Sequence, residues 1–423
     1  MTANLRRLIQ TGLLVLLALM PFHAFLSVWL GSLTGHEAVI EAWKEVLLLV
    51  LAGAGAVLAA TDPATRQRLN QPLVWLVAAY GAAGLLASWL GHPGWTALAF
   101  GLKTDYEFLL AFLLALIVAE RRFIRAAIKV TLGAGAMVIV FGLLQATILP
   151  VNFLAQFGYS SATVVPYQTV GGSPDLIRFA STLGGPNQLG SYLIIILALG
   201  LAIGWRYRHW WLLGLTFAGG FVLLGTHSRA AWAGAALAAA VVAIGLLPAS
   251  HRRAGTAVIA ALGAVLGAAL IWLLHISQTL RHYLLHGAPA DGALSSDAEH
   301  VQSLASGGYA VESGPLGHGL GTAGPAVFHT GQGIIIENYY LQIGYEAGWL
   351  GLGLLIALIT ATAGILMRRT THHPAALALL AALAGISLDA LVLPAWTDST
   401  TALVFWVLAG AIIGLPKVEG DYV

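Results

Sequence analysis

Arg178 stands shortly before a Gly-Gly-Pro turn and an apolar helix, a setting that could hold a phosphate-containing ligand. It opens the run RFASTLGGPNQLGSYL (178–193), in which a Gly-Gly-Pro sequence (184–186) precedes a helix that Asn187 can cap. The N-terminus of a helix offers free backbone N–H groups and a positive dipole end, which together attract anions. A nearby guanidinium can grip phosphate oxygens with two parallel hydrogen bonds. The run therefore predicts either an anion site or a plain junction between a loop and a helix.

Arg229 lies in a very short turn, GTHSRAAWAG (225–234), between two apolar stretches. An arginine at the edge of a membrane is costly and is usually paired or functional. Its side chain could reach a lipid headgroup, or it could hold the phosphate of a lipid-linked ligand at that depth. Ser228 stands beside it and is a candidate for binding the same ligand.

Glu337 provides a carboxylate at the start of a late apolar stretch, IIIENYYLQIGYEAGWLGLG (334–353). Apolar residues follow it at helical spacing, so we expect Glu337 to lie on an apolar helix face. There it is either a charge that complements the helix dipole or a general base in a partly dry pocket. Asn338 and Tyr339 come next and are candidates for substrate binding.

The composition of the chain indicates a membrane protein. Hydrophobic residues make up 58% of the 423 residues and charged residues only 9%, whereas soluble domains carry about a quarter charged residues. The absence of cysteine excludes a disulfide scaffold, and the apolar content excludes disorder. Because a spanning helix needs about 20 apolar residues, the sequence predicts an all-α membrane protein with one domain (1–423). Its spans, about twelve, are expected near 8–30, 43–61, 72–90, 105–120, 125–149, 187–204, 210–226, 230–248, 254–275, 338–367, 374–393 and 399–415.

Basic residues predict the orientation of these spans. Most of the 20 lysines and arginines fall at alternate ends of the apolar stretches, often as pairs such as Arg121 and Arg122. The positive-inside rule then places these turns and both termini in the cytoplasm. The first stretch is expected to be a retained helix rather than a signal peptide. The isolated cations on the outer side oppose the rule, so each needs a nearby acid or a ligand: Lys44, Lys103, Arg178, Arg229 and Arg281.

Two outer segments, 150–186 and 276–337, exceed the length of a turn, and long ordered loops are usually functional. The second contains the glycine-rich run SGPLGHGLGTAG (313–324), which implies tight turns, and His318, a candidate for substrate binding. His282 and His286 are spaced for zinc but lack a third ligand. The sequence has no Walker motif and no dinucleotide fingerprint, so we expect no metal, no cofactor and no nucleic-acid partner. The energy source must be the substrate itself or a gradient.

Four motifs taken together, in this order, resemble the O-antigen ligase and polymerase superfamily. They are STLGGPNQLGSYL (181–193), THSRAAW (226–232), PLGHGLGTAG (315–324) and ENYYLQIGYEAG (337–348). WKEVLLLVL (43–51) and GLKTDYEF (101–108), which contains Lys103, are also similar to segments of that family. The likeness covers most of the chain.

The resemblance implies a GT-C-like fold in the bacterial inner membrane with two periplasmic loops and a periplasmic active site. It implies a metal-independent, inverting glycosyltransferase whose partners are an undecaprenyl-diphosphate-linked glycan donor, a lipid A core or glycan acceptor, and membrane lipids. Arg178 and Arg229 match the family arginines that hold the diphosphate leaving group, which needs charge neutralisation as its bond to the sugar breaks.

One position departs from the resemblance. Many ligases carry a histidine where this chain has Glu337, which puts ligation to lipid A core in doubt and keeps a polymerase open as the alternative. A glutamate can still accept a proton from an acceptor hydroxyl, and His318 or His300 is the alternative base.

A secondary transporter or flippase is the competing class, because twelve helices with both termini inside are also common among transporters. Against it, the halves of the chain show no evident repeat symmetry. The helix centres carry almost no charge in the sequence, with Asp389 as the main candidate for a buried carboxylate.

Overall fold

The computed structural model describes residues 1–170, 173, 176–276, 296–331 and 333–416. Helices form nearly all of the regular structure in these ranges. They are α1 (Thr2–Leu19), α2 (His23–Thr34), α3 (Glu37–Glu41), α4 (Trp43–Thr61), α5 (Pro63–Leu69), α6 (Pro72–Gly91), α7 (Trp95–Asp105), α8 (Glu107–Ile117), α9 (Arg121–Thr147), α10 (Pro186–Tyr207), α11 (Trp210–Leu224), α12 (Arg229–Leu246), α13 (Arg252–Ile276), α14 (Ser296–Ser313), α15 (Val327–Thr330), α16 (Tyr339–Arg369), α17 (Pro374–Asp389) and α18 (Ser399–Ile413).

Each of the twelve apolar stretches contains a helix. Within the described ranges, eight helical segments are long and apolar enough to cross a membrane: Thr2–Thr34, Glu37–Thr61, Pro72–Gly91, Arg121–Thr147, Pro186–Tyr207, Arg229–Leu246, Ala249–Ala269 and Tyr339–Arg369. The helices α8, α11, α17 and α18 are apolar but shorter. The structure is therefore that of a helical protein suited to a membrane, and the number of twelve spans stays a prediction.

Helix α18 lies in the centre of the bundle, against α8, α9, α10 and α17. Its sequence is apolar on every side, and almost all of its residues are buried. Glycine permits the closest of these contacts, since a methyl group at Gly410 would lie 2.3 Å from the carbonyl oxygen of Phe112 in α8. Small residues at helix crossings are typical of membrane bundles.

Helices α12 and α17 meet in the same way. A methyl group at Gly234 of α12 would lie 2.5 Å from the carbonyl oxygen of Gly385 in α17, and the reverse distance is also 2.5 Å. This crossing brings the C-terminal end of α17 close to α10, which packs on both helices. Helices α12 and α17, which carry Arg229 and Asp389, are thus held together by backbone contact.

Helix α16 is interrupted, whereas the sequence predicts one continuous helix over 338–367. Gly348 has φ 69° and ψ −175°, a conformation outside the helical region that only glycine adopts readily. The glycine-rich loop 314–324 supplies hydrogen bonds at the interruption. His318 N–H donates to the Tyr345 carbonyl at 2.9 Å, Gly319 N–H donates to the Glu346 carbonyl at 2.9 Å, and Trp349 N–H donates to the Pro315 carbonyl at 3.0 Å. The predicted tight turns in this loop are confirmed by positive φ angles at Gly317, Gly319, Gly321 and Gly324.

The two long outer segments contain more structure than loops do. The first has a short 3-10 helix (Phe153–Phe157) and a two-residue antiparallel ladder between β1 (Gln168–Thr169) and β2 (Ile177–Arg178). This ladder is the small exception to the all-α prediction. In the second segment, α14 is 18 residues long. Arg281, His282 and His286 lie outside the described residues, and so does the side chain of His300.

Candidate functional site

Arg178 connects three parts of the chain. It ends strand β2, and the next residue, Phe179, donates its N–H to the Gly225 carbonyl at 2.8 Å. The Arg178 Nε atom donates to the Thr226 carbonyl at 2.9 Å, and Nη2 donates to Asn187 Oδ1 at 2.7 Å. The first outer loop, the turn between α11 and α12, and the first turn of α10 therefore meet at this guanidinium.

Asn187 does not cap α10 as the sequence suggests. Gly185 is the N-cap and Pro186 is the first helical residue. Proline is favoured there because its fixed φ suits a helix start and its missing N–H would have no partner in that turn. Asn187 is consequently inside the first turn, and its side-chain oxygen is used to bind Arg178.

The turn before α12 places Ser228 and Arg229 beside the start of α10. Ser228 is the N-cap of α12 and Arg229 is its first residue. Gly190 of α10 makes this approach possible, since a methyl group there would lie 2.6 Å from Cβ of Ala231. The N-terminal ends of α10 and α12 are thus adjacent, and each is a favourable place for an anion.

Two features mark this turn as constrained. His227 has φ 51°, a left-handed conformation that costs a non-glycine residue energy and often occurs at functional sites. Ser228 is buried, and its hydroxyl group has no hydrogen-bond partner among the described residues. A buried hydroxyl without a partner is costly, so Ser228 is well suited to bind a ligand oxygen.

Positive charge is concentrated at this position. Burial, together with the neighbouring Arg229, lowers the pKa of Arg178 to about 10. Burial and the charge of Arg178 lower the pKa of His227. Because like charges raise each other's energy, an anion bound here would gain from both guanidinium groups.

Glu337 lies before α16 and not on a helix face, which corrects the sequence interpretation. Asn338 is the N-cap, and its Oδ1 accepts from the Leu341 N–H at 2.9 Å, as expected for a residue type strongly preferred at that position. Its Nδ2 donates to the Leu391 carbonyl at 2.7 Å, so both the oxygen and the nitrogen of this side chain form hydrogen bonds within the fold. The Glu337 N–H donates to Ser303 Oγ of α14 at 3.1 Å.

Two other predicted residues, Lys103 and His318, have partners of their own, and a third, Tyr339, lies in the core. The Lys103 Nζ atom forms ion pairs with Glu41 at 3.0 Å and Glu45 at 3.1 Å. The His318 ring stacks on Tyr345 with 4.0 Å between centroids. Tyr339 is fully buried. The structure therefore brings Arg178, Asn187, Ser228 and Arg229 together, and it places Lys103, His318 and Tyr339 in other contacts.

Asp389 lies close to this group although the sequence did not place it there. It is fully buried at the C-terminal end of α17, and Ser191 Oγ donates to its Oδ2 at 2.5 Å. Ser191 is one turn beyond Asn187 and also donates to the Asn187 carbonyl at 3.1 Å. Hydrogen bonds thus lead from Arg178 to Asp389. The sequence offered one signal for Asp389, because it is a lone aspartate at the outer end of an apolar stretch. Nothing in the sequence pointed to its partner Ser191, which is 198 residues away.

A large cavity lies beside the C-terminal half of α16, whereas Glu337 precedes the start of that helix. The cavity has a volume of about 1420 Å³, and its lining includes Gln71, Ile356, Arg368 and His372. This lining contains none of the candidate site residues Arg178, Asn187, Ser228, Arg229, Glu337 and Asp389. Elsewhere in the described residues, no group of three or more His, Asp or Glu side chains could hold a metal ion.

No protein-family model matches the sequence, and no curated protein matches it.

Proposed function

We propose that the protein is a glycosyltransferase that moves an oligo- or polysaccharide from undecaprenyl diphosphate to a sugar acceptor on the periplasmic face of the bacterial inner membrane. The observation that carries this proposal is the pair of arginines at the adjacent N-termini of α10 and α12. Arg178 is fixed there by Asn187 and the Thr226 carbonyl. The buried hydroxyl of Ser228 lies in the same turn.

Glycan transfer from a lipid diphosphate requires positive charge at the leaving group. In an inverting transfer, an acceptor hydroxyl attacks the anomeric carbon while the bond from that carbon to the diphosphate oxygen breaks. The electron pair of the broken bond stays on the phosphate, and undecaprenyl diphosphate leaves with added negative charge. Two preorganised guanidinium groups and two helix N-termini stabilise that charge without a metal ion.

The proton of the acceptor hydroxyl needs a base. Glu337 takes this role in our proposal, because it stands in the chain at the outer end of α16 with its backbone fixed by Ser303. Asp389 is the second candidate, since its hydrogen bond to Ser191 connects it to the helix turn that holds Arg178. Either carboxylate could accept the proton as the new glycosidic bond forms.

Within this class, we place an O-antigen ligase first, with lipid A core as the acceptor. A polymerase that adds the glycan to the next repeat unit is the alternative. The product separates the two: a ligase adds one glycan to a core, and a polymerase gives a ladder of growing repeats.

A secondary transporter or flippase is the candidate from another class, and one observation favours it. Helix α16 is interrupted at Gly348 beside Glu346, which is fully buried. Interrupted helices that carry ionisable groups are typical of transporters. Besides Asp389, the side chains of Asp105 and Glu346 are buried carboxyl groups.

The deciding experiment uses the purified protein in liposomes that contain a lipid-diphosphate glycan and an acceptor. We expect release of undecaprenyl diphosphate that depends on the acceptor. Asn187→Asp is a useful variant, because the new carboxylate would neutralise Arg178 and should reduce release. Movement of the glycan lipid between leaflets without any bond cleavage would instead favour the transporter.

A further inference from the structure

The large cavity between α6 and α16 has no role in the proposed glycan transfer. It lies beside the first turns of α6 and the second half of α16, and it also touches the end of α18. Both α6 and α16 are long and apolar enough to cross a membrane. The volume of about 1420 Å³ exceeds the about 300–1,000 Å³ of sites for small molecules. The cavity is therefore large enough for a long ligand at membrane depth.

One face of α16 forms the long wall of the cavity. Residues of this face recur at helical spacing in the lining: Ile356, Ala357, Thr360, Ala361, Gly364 and Ile365. The Thr360 hydroxyl donates to the Ile356 carbonyl at 2.7 Å, so its hydrogen bond is made within the helix. The opposite wall contains Leu73 and Leu76 of α6. Both walls thus suit a hydrocarbon chain.

The length of the α16 wall fits an acyl chain. Gly353 and Arg368, which both line the cavity, are 15 residue steps apart, a rise of about 22 Å at about 1.5 Å per step. One leaflet contributes half of the hydrocarbon core of about 30 Å, so the wall is longer than one leaflet is thick. A methyl group added at Gly364 would have no contact within 4 Å in the described part of the chain, outside its own helix backbone. Space for a chain therefore remains along this wall.

Positive charge lies at one end of the cavity. Arg368 lines it in the last turn of α16, and His372 lines it just after that helix. Both side chains are exposed, and in the described part of the chain neither forms an ion pair with an acid. An arginine can hold a phosphate with two parallel hydrogen bonds, and a neutral imidazole can donate one. This end of the cavity thus complements a phosphate group.

Two helices also begin at this end. Gln71 is the N-cap of α6, His373 is the N-cap of α17, and both residues line the cavity. Neither side chain forms a capping hydrogen bond, and each helix has proline at its first position. The positive ends of two helix dipoles therefore add to the charge of Arg368.

We propose that this cavity binds one anionic phospholipid of the leaflet predicted to face the cytoplasm. One acyl chain lies along α16, between that helix and α6, and Arg368 and His372 hold the phosphate group. The positive-inside rule explains basic residues at this end of the helices, but it does not explain an apolar cavity beside them. The lipid site does not depend on glycan transfer, so failure of either proposal leaves the other standing.

A bound lipid would connect three helices. Arg369 Nη2 donates to the carbonyls of Ile413 at 3.1 Å and Leu415 at 2.8 Å, which fixes the end of α16 to the end of α18. The lipid would fill the space between this junction and the first turns of α6. A ligand that binds only the folded state raises the unfolding temperature with its concentration, and we expect this effect from the lipid.

The test uses the full-length protein in a mild detergent. Native mass spectrometry counts the lipids bound per chain during titration with dioleoyl phosphatidylglycerol, and the unfolding temperature is followed in the same samples. Dioleoyl phosphatidylcholine has the same chains and a phosphate but no net charge, and inorganic phosphate has no chain. We expect one phosphatidylglycerol to bind at least tenfold more tightly than phosphatidylcholine and to raise the unfolding temperature. Inorganic phosphate should not raise it.

Two variants with matched controls locate the lipid. Gly364→Leu places a side chain in the cavity and should weaken binding of phosphatidylglycerol at least tenfold. Gly220→Leu is its control, because Gly220 is also half-buried and equally open but lies in α11, outside the lining. Arg368→Gln should weaken binding about fivefold, the share expected of one basic residue near an anionic lipid. Arg122→Gln, which changes an exposed arginine of α9 on the same predicted face, should leave binding unchanged.

Other results would overturn the proposal. Equal binding of phosphatidylglycerol by the wild type and Gly364→Leu would place the lipid elsewhere. Equal affinity for phosphatidylglycerol and phosphatidylcholine would show that the charge at the end of the cavity selects nothing. Tighter binding of undecaprenyl phosphate than of phosphatidylglycerol would assign the cavity to the carrier lipid. If Gly364→Leu does not fold, the comparison of the two phospholipids in the wild type and in Arg368→Gln still decides the question.

Discussion

Lys44 and Lys103 differ from Arg178 in what surrounds them, although all three stand on the predicted outer side. Lys44 is only 1% exposed and pairs with Glu107 at 2.7 Å and Glu45 at 2.8 Å. Lys103 pairs with Glu41 and Glu45. Arg178, in contrast, donates to two neutral oxygen atoms and lies beside Arg229.

The difference shows how an outer cation can be interpreted. A cation whose neighbours are carboxylates is neutralised within the fold, and its removal should act on stability. A cation held by neutral acceptors keeps its charge for a ligand, and its removal should act on function. Each of the following variants tests one side of this contrast.

The largest effect should follow from breaking the Lys44 pair. Lys44→Met leaves Glu107 buried without its cation, and breaking a buried pair costs about 3–5 kcal/mol. We expect a matching loss in the free energy of unfolding, measured by denaturant titration in detergent. Replacing both partners, as Lys44→Met with Glu107→Leu, should recover most of it. An unchanged unfolding free energy in the single variant would contradict the structural role.

Removing either arginine should affect transfer and leave the fold intact. Loss of one group that stabilises charge in a transition state typically costs about 10²–10³-fold in rate. We expect that range for Arg178→Ala and for Arg229→Ala, measured as undecaprenyl diphosphate released by purified protein. Wild-type rates in either variant would remove that residue from the leaving-group role.

The base is tested by three substitutions. Glu337→Gln should reduce transfer by about 10²-fold or more, which is typical for loss of a general base, and Glu337→His should retain part of the rate. Asp389→Asn is the comparison. Full activity in Glu337→Gln together with loss in Asp389→Asn would transfer the role to Asp389.

Lys103→Ala should have a smaller effect. Its ion pairs are partly exposed, at 25% for Lys103 and 40% for Glu41, and such pairs contribute less than about 1 kcal/mol. We expect a small decrease in unfolding temperature and a rate of transfer close to that of the wild type. A loss of transfer as large as that in Arg178→Ala would return Lys103 to the substrate site.

The smallest effect concerns pH. The folded state lowers the pKa of His227 below its ordinary 6.5, so the unfolded chain binds more protons there. The stability contributed by neutral His227 is therefore present above pH 6.5 and is lost as the pH falls through and below that value. His227→Asn keeps a residue that tolerates the left-handed backbone and should make unfolding slightly less sensitive to pH between 7 and 5. An unchanged pH dependence would contradict this effect.

The sequence predicted the helices well because apolar length is a local property. All twelve stretches contain helices, and the glycine-rich loop has the tight turns expected of it. Local reasoning was less successful at helix ends. The sequence placed Asn187 and Glu337 at helix starts, whereas Asn187 lies two positions after the N-cap Gly185 and Glu337 lies one position before the N-cap Asn338.

The pairings between distant residues could not be predicted. Lys44 with Glu107, Ser191 with Asp389 and Asp105 with Gln342 join residues that are 63, 198 and 237 positions apart. Only the packing of the helices decides which of these side chains meet. The division of the outer cations into two kinds therefore required the structure.

Direct binding of undecaprenyl diphosphate, without a sugar, tests the central claim most simply. Affinity is measured for the wild type, Arg178→Gln, Arg229→Gln and Lys103→Gln, each first shown to be folded by its unfolding temperature. We expect each arginine variant to bind at least tenfold more weakly than the wild type and Lys103→Gln to bind as the wild type does. Equal affinity in all four proteins, or a loss confined to Lys103→Gln, would contradict the assignment of the diphosphate to Arg178 and Arg229.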